Sequence, residues 1–301
     1  IAASRFLTPL ETIEQGVVLV ETGRVAAVGP EGQTPIPSGT EVIDASGLTV
    51  APGLIDLHTH GADGAQAIDG TPEALTRMAA FYARHGVTGF LATIGGANEH
   101  IERGIDAVVE TLRSGTAPTG AAILGIHLEG PFINPARCGA FRPETIVPPN
   151  VALLERYLDR AQGHIRLITL APEMDGALDL IRCATSRGVV CSAGHSEAGW
   201  DEMMRACEVG LRHATHTFNA MSALHHRDPG VLGAALSDDR LTAEVIADGI
   251  HVHPAVVRLM VRAKRVERAV LVTDSIAAAG LPAGNYKYEE QPITVCDGSA
   301  R

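Results

Sequence analysis

Two histidines one residue apart, His58 and His60, close a short apolar stretch near the start of the chain. Residues at i and i+2 of a strand project to the same side, so both imidazoles can grip one metal ion. Further along, Glu129, His195, His216 and Asp274 each end, or directly follow, another apolar stretch. Imidazoles and carboxylates are the donors that hold a divalent cation, and a carboxylate beside the ion can move a proton. One such histidine alone reads more readily as a hydrogen-bonded core residue. The same residue types at five separate strand ends point instead to one shared site.

Those residues need a scaffold that gathers strand ends. Apolar runs at 54–58, 89–93, 122–128, 167–170, 189–193, 213–217, 243–247 and 269–273 alternate with amphipathic segments. The pattern predicts an α/β fold, a (β/α)8 barrel of parallel strands buried on both faces, with its site at the C-terminal ends of the strands. Thr71-Pro72-Glu73 opens a helix that Gly86 closes, Gly188 and Gly210 close two more, and Pro254 opens the last. A doubly wound open sheet would place a G-x-G-x-x-G loop after its first strand, and none stands there. Residues 1–50 read as β-structure, with strands at 16–20 and 24–28 about the turn Glu21-Thr22-Gly23. They are expected to form a small β-sandwich annex, which divides the chain into 1–50 and a barrel over 51–301.

Composition narrows the function. Of 301 residues 46% are hydrophobic and 20% charged, enough apolar side chains for a large core. With 24 basic against 35 acidic residues the net charge is −11, which excludes an electrostatically driven nucleic-acid binder. No apolar run approaches the ~18 residues of a membrane span, and no secretory signal pattern opens the chain, so a cytoplasmic protein is expected. The five scattered cysteines, among them Cys138 in a loop, form no C-x-x-C pair and argue against a disulfide framework or a cysteine zinc cluster. Only Lys264 and Lys287 are lysines. A lysine carbamate bridging two ions at the end of the fourth strand is therefore excluded, since 167–173 holds no lysine. Glu129 must bridge, or the site holds one metal. His127, two residues before Glu129, is expected one layer deeper as a support rather than a ligand. His85 suits a helix end, His100 and His164 the surface, and Asp63 and Asp69 loop hydrogen bonds. Spacing leaves His213, His225, His226 and His253 undecided.

The segments APGLIDLHTHG (51–61), GIHLEGPFIN (125–134), SAGHSEA (192–198), ATHTFNAMSALHHRDPG (214–230), IADGIHVHP (246–254) and LVTDSIAAAG (271–280) together resemble the N-acetylglucosamine-6-phosphate deacetylases, a family within the amidohydrolase superfamily. The resemblance runs from about residue 10 to the end and keeps the family's motif order. It implies hydrolysis of N-acetyl-D-glucosamine 6-phosphate to acetate and D-glucosamine 6-phosphate. Glu129, His195 and His216 would be the principal metal ligands, with His58 and His60 available for a second ion. The cofactor would be zinc or iron, with manganese or cobalt as alternatives, at one or two ions per subunit. Asp274 would take a proton from the attacking water and return it to the leaving amine. Asn219, the Ala220 backbone, Arg227 and His251 would bind the sugar phosphate, with Arg227 reaching into a neighbouring subunit of a homodimer. A guanidinium fork suits a phosphate on physical grounds as well. Family members continue past this chain's end, so the annex is expected to lack its C-terminal half. One position departs from the family: a histidine that polarises the substrate carbonyl is usual where this chain has Phe141. Either another group such as His225, or a second metal at His58 and His60, takes over that role, or the substrate differs, as with N-acetylgalactosamine 6-phosphate or an unphosphorylated acylamino compound. A catalytically dead scaffold predicts lost ligands, and all are present.

Overall fold

In a computed structural model, residues 1–114, 119–288, 291–296 and 298–300 are described, and they divide into two compact units, Ile1–Leu54 and Ile55–Arg301. The first unit is a four-stranded sheet of β1 (Ala2–Leu7), β2 (Thr12–Glu21), β3 (Arg24–Pro30) and β4 (Asp44–Val50) in the order β3-β2-β1-β4. β1–β2 and β2–β3 pair antiparallel, while β1–β4 pair parallel. Thr22 (φ 50) and Gly23 (φ 76) turn the β2–β3 hairpin, the two positive φ values that match strand twist across a two-residue loop. Ala3, Phe6, Ile13 and Ala45 form this unit's small core.

The second unit begins with β5 (Leu54–Thr59), a two-rung ladder of β6 (Gly61–Ala62) with β7 (Ala65–Gln66), and α1 (Pro72–Arg84). Strands then alternate with helices: β8 (Val87–Gly95), α2 (Asn98–Arg113), β9 (Ala122–Glu129), α3 (Val151–Arg160), β10 (Ile165–Leu170), α4 (Ala177–Ser186), β11 (Val190–Ala193), α5 (Trp200–Val209), β12 (Leu211–Ala214), α6 (Gly230–Ser237), β13 (Thr242–Ile246), α7 (Pro254–Arg268) and β14 (Ala269–Val272). The eight strands that alternate with helices form one parallel sheet in the order β14-β13-β12-β11-β10-β9-β8-β5, and a bridge from Thr59, the last residue of β5, to Ser275, just beyond β14, links its two edges. This is the expected eight-stranded barrel. The strands read as continuous apolar runs because each is buried on two faces, and Phe90, Ile94, Ile126, Leu128, Ile168 and Leu170 are all fully buried. A last hairpin, β15 (Gly284–Tyr288) with β16 (Gln291–Cys296), is extended by β17 (Ser299–Ala300).

Punctuation acts where the sequence places it. Thr71 Oγ1 accepts from the Ala74 backbone at 3.2 Å with Pro72 in the first helical position, and Gly210 (φ 123) closes α5. His85 caps the end of α1, with its ring 4.4 Å from that of Phe81. Among the described residues no helix is long and apolar enough to cross a membrane, and all five cysteines are free thiols.

The barrel interior is plugged by a polar layer. Thr93 Oγ1 meets His127 Nδ1 at 3.3 Å, His127 Nε2 meets Thr169 Oγ1 at 2.8 Å, and Thr169 continues to Thr215 at 2.7 Å and on to Ser192 at 2.5 Å. All five side chains are fully buried, and the bonds among them give each a polar partner inside the barrel. Burial, then the neighbouring His58 charge, pushes the His127 imidazole down to about 3, so it is a neutral support beneath the site and not a ligand, as its place in the sequence suggests.

Candidate metal centre and active site

Above that layer the barrel collects two groups of metal-ligand side chains, His58–His60–Asp274 and Glu129–His195–His216. The Glu129 carboxylate joins them. Its Oε1 lies 3.1 Å from His195 Nε2, 3.3 Å from His216 Nε2 and 3.3 Å from His58 Nε2, while its Oε2 lies 2.9 Å from His60 Nε2. Asp274 Oδ1 sits 3.2 Å from His58 Nε2 and 3.3 Å from His60 Nε2. Every ligand type singled out at the strand ends is thus within reach of one centre.

The backbone bends to achieve this. The sixth strand, expected over 213–217, ends at Ala214, and His216 takes φ 28. The Glu244 carbonyl accepts from Thr217 N at 2.9 Å and the Glu244 carboxylate from His216 N at 3.0 Å, so the turn follows β13 instead of continuing the β12 ladder. His195 (φ 48), Phe218 (φ 85), Ala220 (φ 47) and Asp274 (φ 49) also occupy the left-handed region. Non-glycine residues rarely adopt that region, and its concentration here marks backbone held in place by the site.

Hydrogen bonds behind the rings fix which nitrogen faces the centre. His195 Nδ1 donates to the Arg137 carbonyl at 2.7 Å, so in the neutral ring Nε2 carries the lone pair, and it lies 3.0 Å from His216 Nε2 and close to Glu129. His58 Nδ1 donates to Glu244 Oε2 at 3.0 Å, which turns its Nε2 towards Glu129 and Asp274. That buried Nε2 has no aligned hydrogen-bond partner. Lone pairs and carboxylate oxygens converging without donors among them repel one another unless a cation sits between them, and the N/O donor set suits a divalent transition metal. The residues present fit the ion the fold implies.

In the metal-free protein, protons take the cation's place. Burial alone would lower the His60 imidazole, but the Asp274 and Glu129 carboxylates hold it up to about 9. Burial alone would raise the Glu129 carboxyl, but His58 and the other imidazoles hold it well below the usual carboxylate range. A raised imidazole favours the metal-free fold below its ordinary value of 6.5, and this contribution fades as pH rises through about 9. Metal uptake must displace the His60 proton over the same window. The apparent affinity for zinc is therefore expected to climb roughly tenfold per pH unit for each proton displaced up to about pH 9, then level off. Competition with a chelating dye measures this, and a flat profile would show that His60 holds no proton to displace.

Two buried carboxylates went unnoticed in the sequence. Glu244, fully buried on β13, accepts from His58 Nδ1, from His213 Nε2 at 2.9 Å and from His216 N. Asp56, two residues before His58, accepts from Thr273 Oγ1 at 2.6 Å and from His58 N at 3.2 Å, tying β5 to the chain just after β14. Each has a sequence signal: Asp56 alternates with His58 on one strand, and Glu244 is the lone charge in an apolar run. His213 is thereby assigned, as a partner of Glu244. Asp63 and Asp69 bond Arg77 and the Gln66 backbone in their loop and stand apart from the ligand groups.

A cavity of about 510 Å³ opens over the centre, lined by His60, Glu129, His195, His216 and Asp274 together with Phe141, Asn219, Ala220, His251 and Tyr288. Phe141 is buried, its ring 5.3 Å from that of His195 and 6.4 Å from that of His60. Gly95 makes room for it, since a Cβ there would stand 2.7 Å from the Phe141 ring. Gly139 (φ 59) carries the same loop across His195, where a Cβ would stand 3.0 Å from the imidazole. Tyr288, which spacing did not single out, sets its ring edge-on to His60 with centroids 5.8 Å apart. His251 is held by Asp248 at 2.7 Å. Arg227 is not brought to this cavity; it lines a separate surface groove with Trp200 and Arg205. His225 and His226 lie in the same exposed loop, their rings 4.2 Å apart.

Residues 49–285 match the amidohydrolase family. The chain is 38% identical over 291 residues to an N-acetylglucosamine-6-phosphate deacetylase of Bacillus subtilis, covering 96% of this chain and 73% of that protein. It is 35% identical to an N-acetylgalactosamine-6-phosphate deacetylase of Escherichia coli O157:H7, covering 99% of this chain and 77% of that one. Among solved structures it superposes with a TM-score of 0.90 on a point variant of the Mycobacterium smegmatis N-acetyl-D-glucosamine-6-phosphate deacetylase in complex with N-acetyl-D-glucosamine-6-phosphate, at 34% identity over 100% of this chain and 76% of that one.

Proposed function

The chain belongs to the amidohydrolase family and is a metal-dependent hydrolase of an amide bond, and from that premise we propose that it deacetylates N-acetyl-D-glucosamine 6-phosphate, releasing acetate and D-glucosamine 6-phosphate. The observation that carries the reading is the pair of ligand groups meeting at Glu129 on the floor of a cavity wide enough for a sugar. In this reading Glu129, His195 and His216 hold one ion, and His58 and His60 with Asp274 hold a second. A divalent cation there supplies what Phe141 cannot, polarising the acyl carbonyl and lowering the pKa of the attacking water from 15.7 towards about 7. Zinc and iron both suit the donors, as do manganese and cobalt.

The remaining work falls to this chain's own groups. Asp274 opens onto the cavity and is ionised, so it can take a proton from water and pass it to the departing amine. Asn219, the Ala220 backbone and His251 line the same cavity and are assigned to the sugar phosphate. Arg227 stands outside its own subunit's cavity, which supports a homodimer in which it serves the neighbouring site; the proposed setting for this enzyme is the cytoplasm. The similarity to an N-acetylgalactosamine-6-phosphate deacetylase favours one second reading, the epimeric substrate.

A panel of N-acetylhexosamines with and without the 6-phosphate tests the assignment by acetate release. Loss of the phosphate is expected to lower kcat/KM by roughly 10²-fold, the worth of one or two charge-assisted hydrogen bonds. Equal rates on the unphosphorylated sugars would overturn the phosphate assignment, and a preference for the galacto epimer would select the second reading.

A further inference from the structure

Glu244 touches both ligand groups from beneath, at a position the reaction does not use. Its Oε2 accepts from His58 Nδ1 and from the backbone N of His216, each at 3.0 Å, while its Oε1 accepts from His213 Nε2. The His213 ring is anchored in turn through Nδ1 by Thr242. Glu244 is fully buried, so bulk solvent does not compete for these bonds. Neither His195 nor Glu129 is among its partners, and the bond to His216 reaches that residue's backbone, not its ring. The carboxylate is thus joined ring to ring with one ligand only, His58.

We propose that Glu244 is the positioning residue that makes His58–His60–Asp274 a cation site: it holds His58 with Nε2 as the donor and sets how tightly that group retains a divalent ion, from the far side of the ring. The inference rests on the two-ion reading above. A carboxylate behind a metal-binding imidazole fixes its tautomer and raises its basicity, and removing such a partner commonly costs 10- to 100-fold in metal affinity. The effect is selective by position. Glu244→Gln keeps an oxygen for His58 Nδ1 and His216 N and removes the charge, so the loss should fall on the second ion and leave the one at Glu129–His195–His216 in place.

The test is equilibrium dialysis of full-length protein against cobalt(II), counting ions bound per chain and following the visible d–d bands as each site fills. Wild type is expected to take up two ions. Glu244→Gln is expected to hold the first with unchanged affinity and the second about 10- to 100-fold more weakly, with a shifted second-ion spectrum. Glu244→Asp keeps the charge but withdraws it by about 1.5 Å, one carbon–carbon bond, and should weaken the second ion less. It carries the test if circular dichroism finds the glutamine variant unfolded. Two ions bound by a folded variant with wild-type affinities would overturn the proposal while leaving the two-ion reading intact. Wild type that takes up a single ion would overturn that reading, and the proposal with it.

Discussion

Glu129→Gln is expected to empty both ligand groups at once, with metal content near zero and kcat/KM down by about 10⁴-fold or more, equivalent to roughly 5 kcal/mol of lost transition-state stabilisation. The geometry gives the reason. Among the described residues Glu129 is the one side chain that faces four of the imidazoles, His195, His216 and His58 through Oε1 and His60 through Oε2. A catalytic metal site of this kind needs about three protein ligands, one or more often anionic. An amide in place of the carboxylate leaves His195 and His216 as a two-donor remnant, and it takes from His58 and His60 one of the carboxylates that attract positive charge to them. Elemental analysis after purification in excess zinc reads the outcome directly. A variant retaining its full complement of metal would show that Glu129 is not the shared donor. No lysine stands at the end of β10 to form a bridging carbamate in its place.

How much of this was legible in the sequence follows from how local each signal is. The barrel strands and the His58/His60 pair are local, set by apolar runs, a period of two and helix punctuation, and the structure places them close to where those signals do. His216 is not local in that sense. Its segment reads as strand to residue 217, but the turn at 216 is imposed by Glu244, 28 residues away. Glu244 is not singled out by its segment, where it is a lone acid in an apolar run, because its bonding partner His58 lies 186 residues earlier. Asp56 shows the same limit, since its partner Thr273 is 217 residues distant. Ligands that end strands announce themselves by position. The carboxylates that orient those ligands depend on barrel closure, which no window of sequence contains.

Asp274→Asn carries the second large effect, a loss of about 10² to 10⁴ in kcat, the range for removing a group that moves a proton in the rate-limiting step. Two acids face the centre, and exposure separates their roles: the Glu129 side chain is 2% exposed and the Asp274 side chain 24%. Both line the cavity, and Asp274 is the more open of the two towards water and substrate. Burial tends to raise its carboxyl, but the His58 and His60 imidazoles outweigh this and hold it below the usual value, so it is ionised at neutral pH and ready to accept a proton. Any fall in activity between about pH 7 and pH 5 should therefore track protons displacing the cation at the histidines, and not protonation of Asp274. Asparagine keeps the shape and can still accept a hydrogen bond, but it cannot carry the proton to the amine. Because Asp274 also faces His58 and His60, the variant must be assayed alongside its metal content. An ion retained at Glu129–His195–His216 with activity lost marks a proton carrier. Activity that falls only in proportion to lost metal would reduce Asp274 to a ligand, and full activity in the metal-loaded variant would remove it from the reaction.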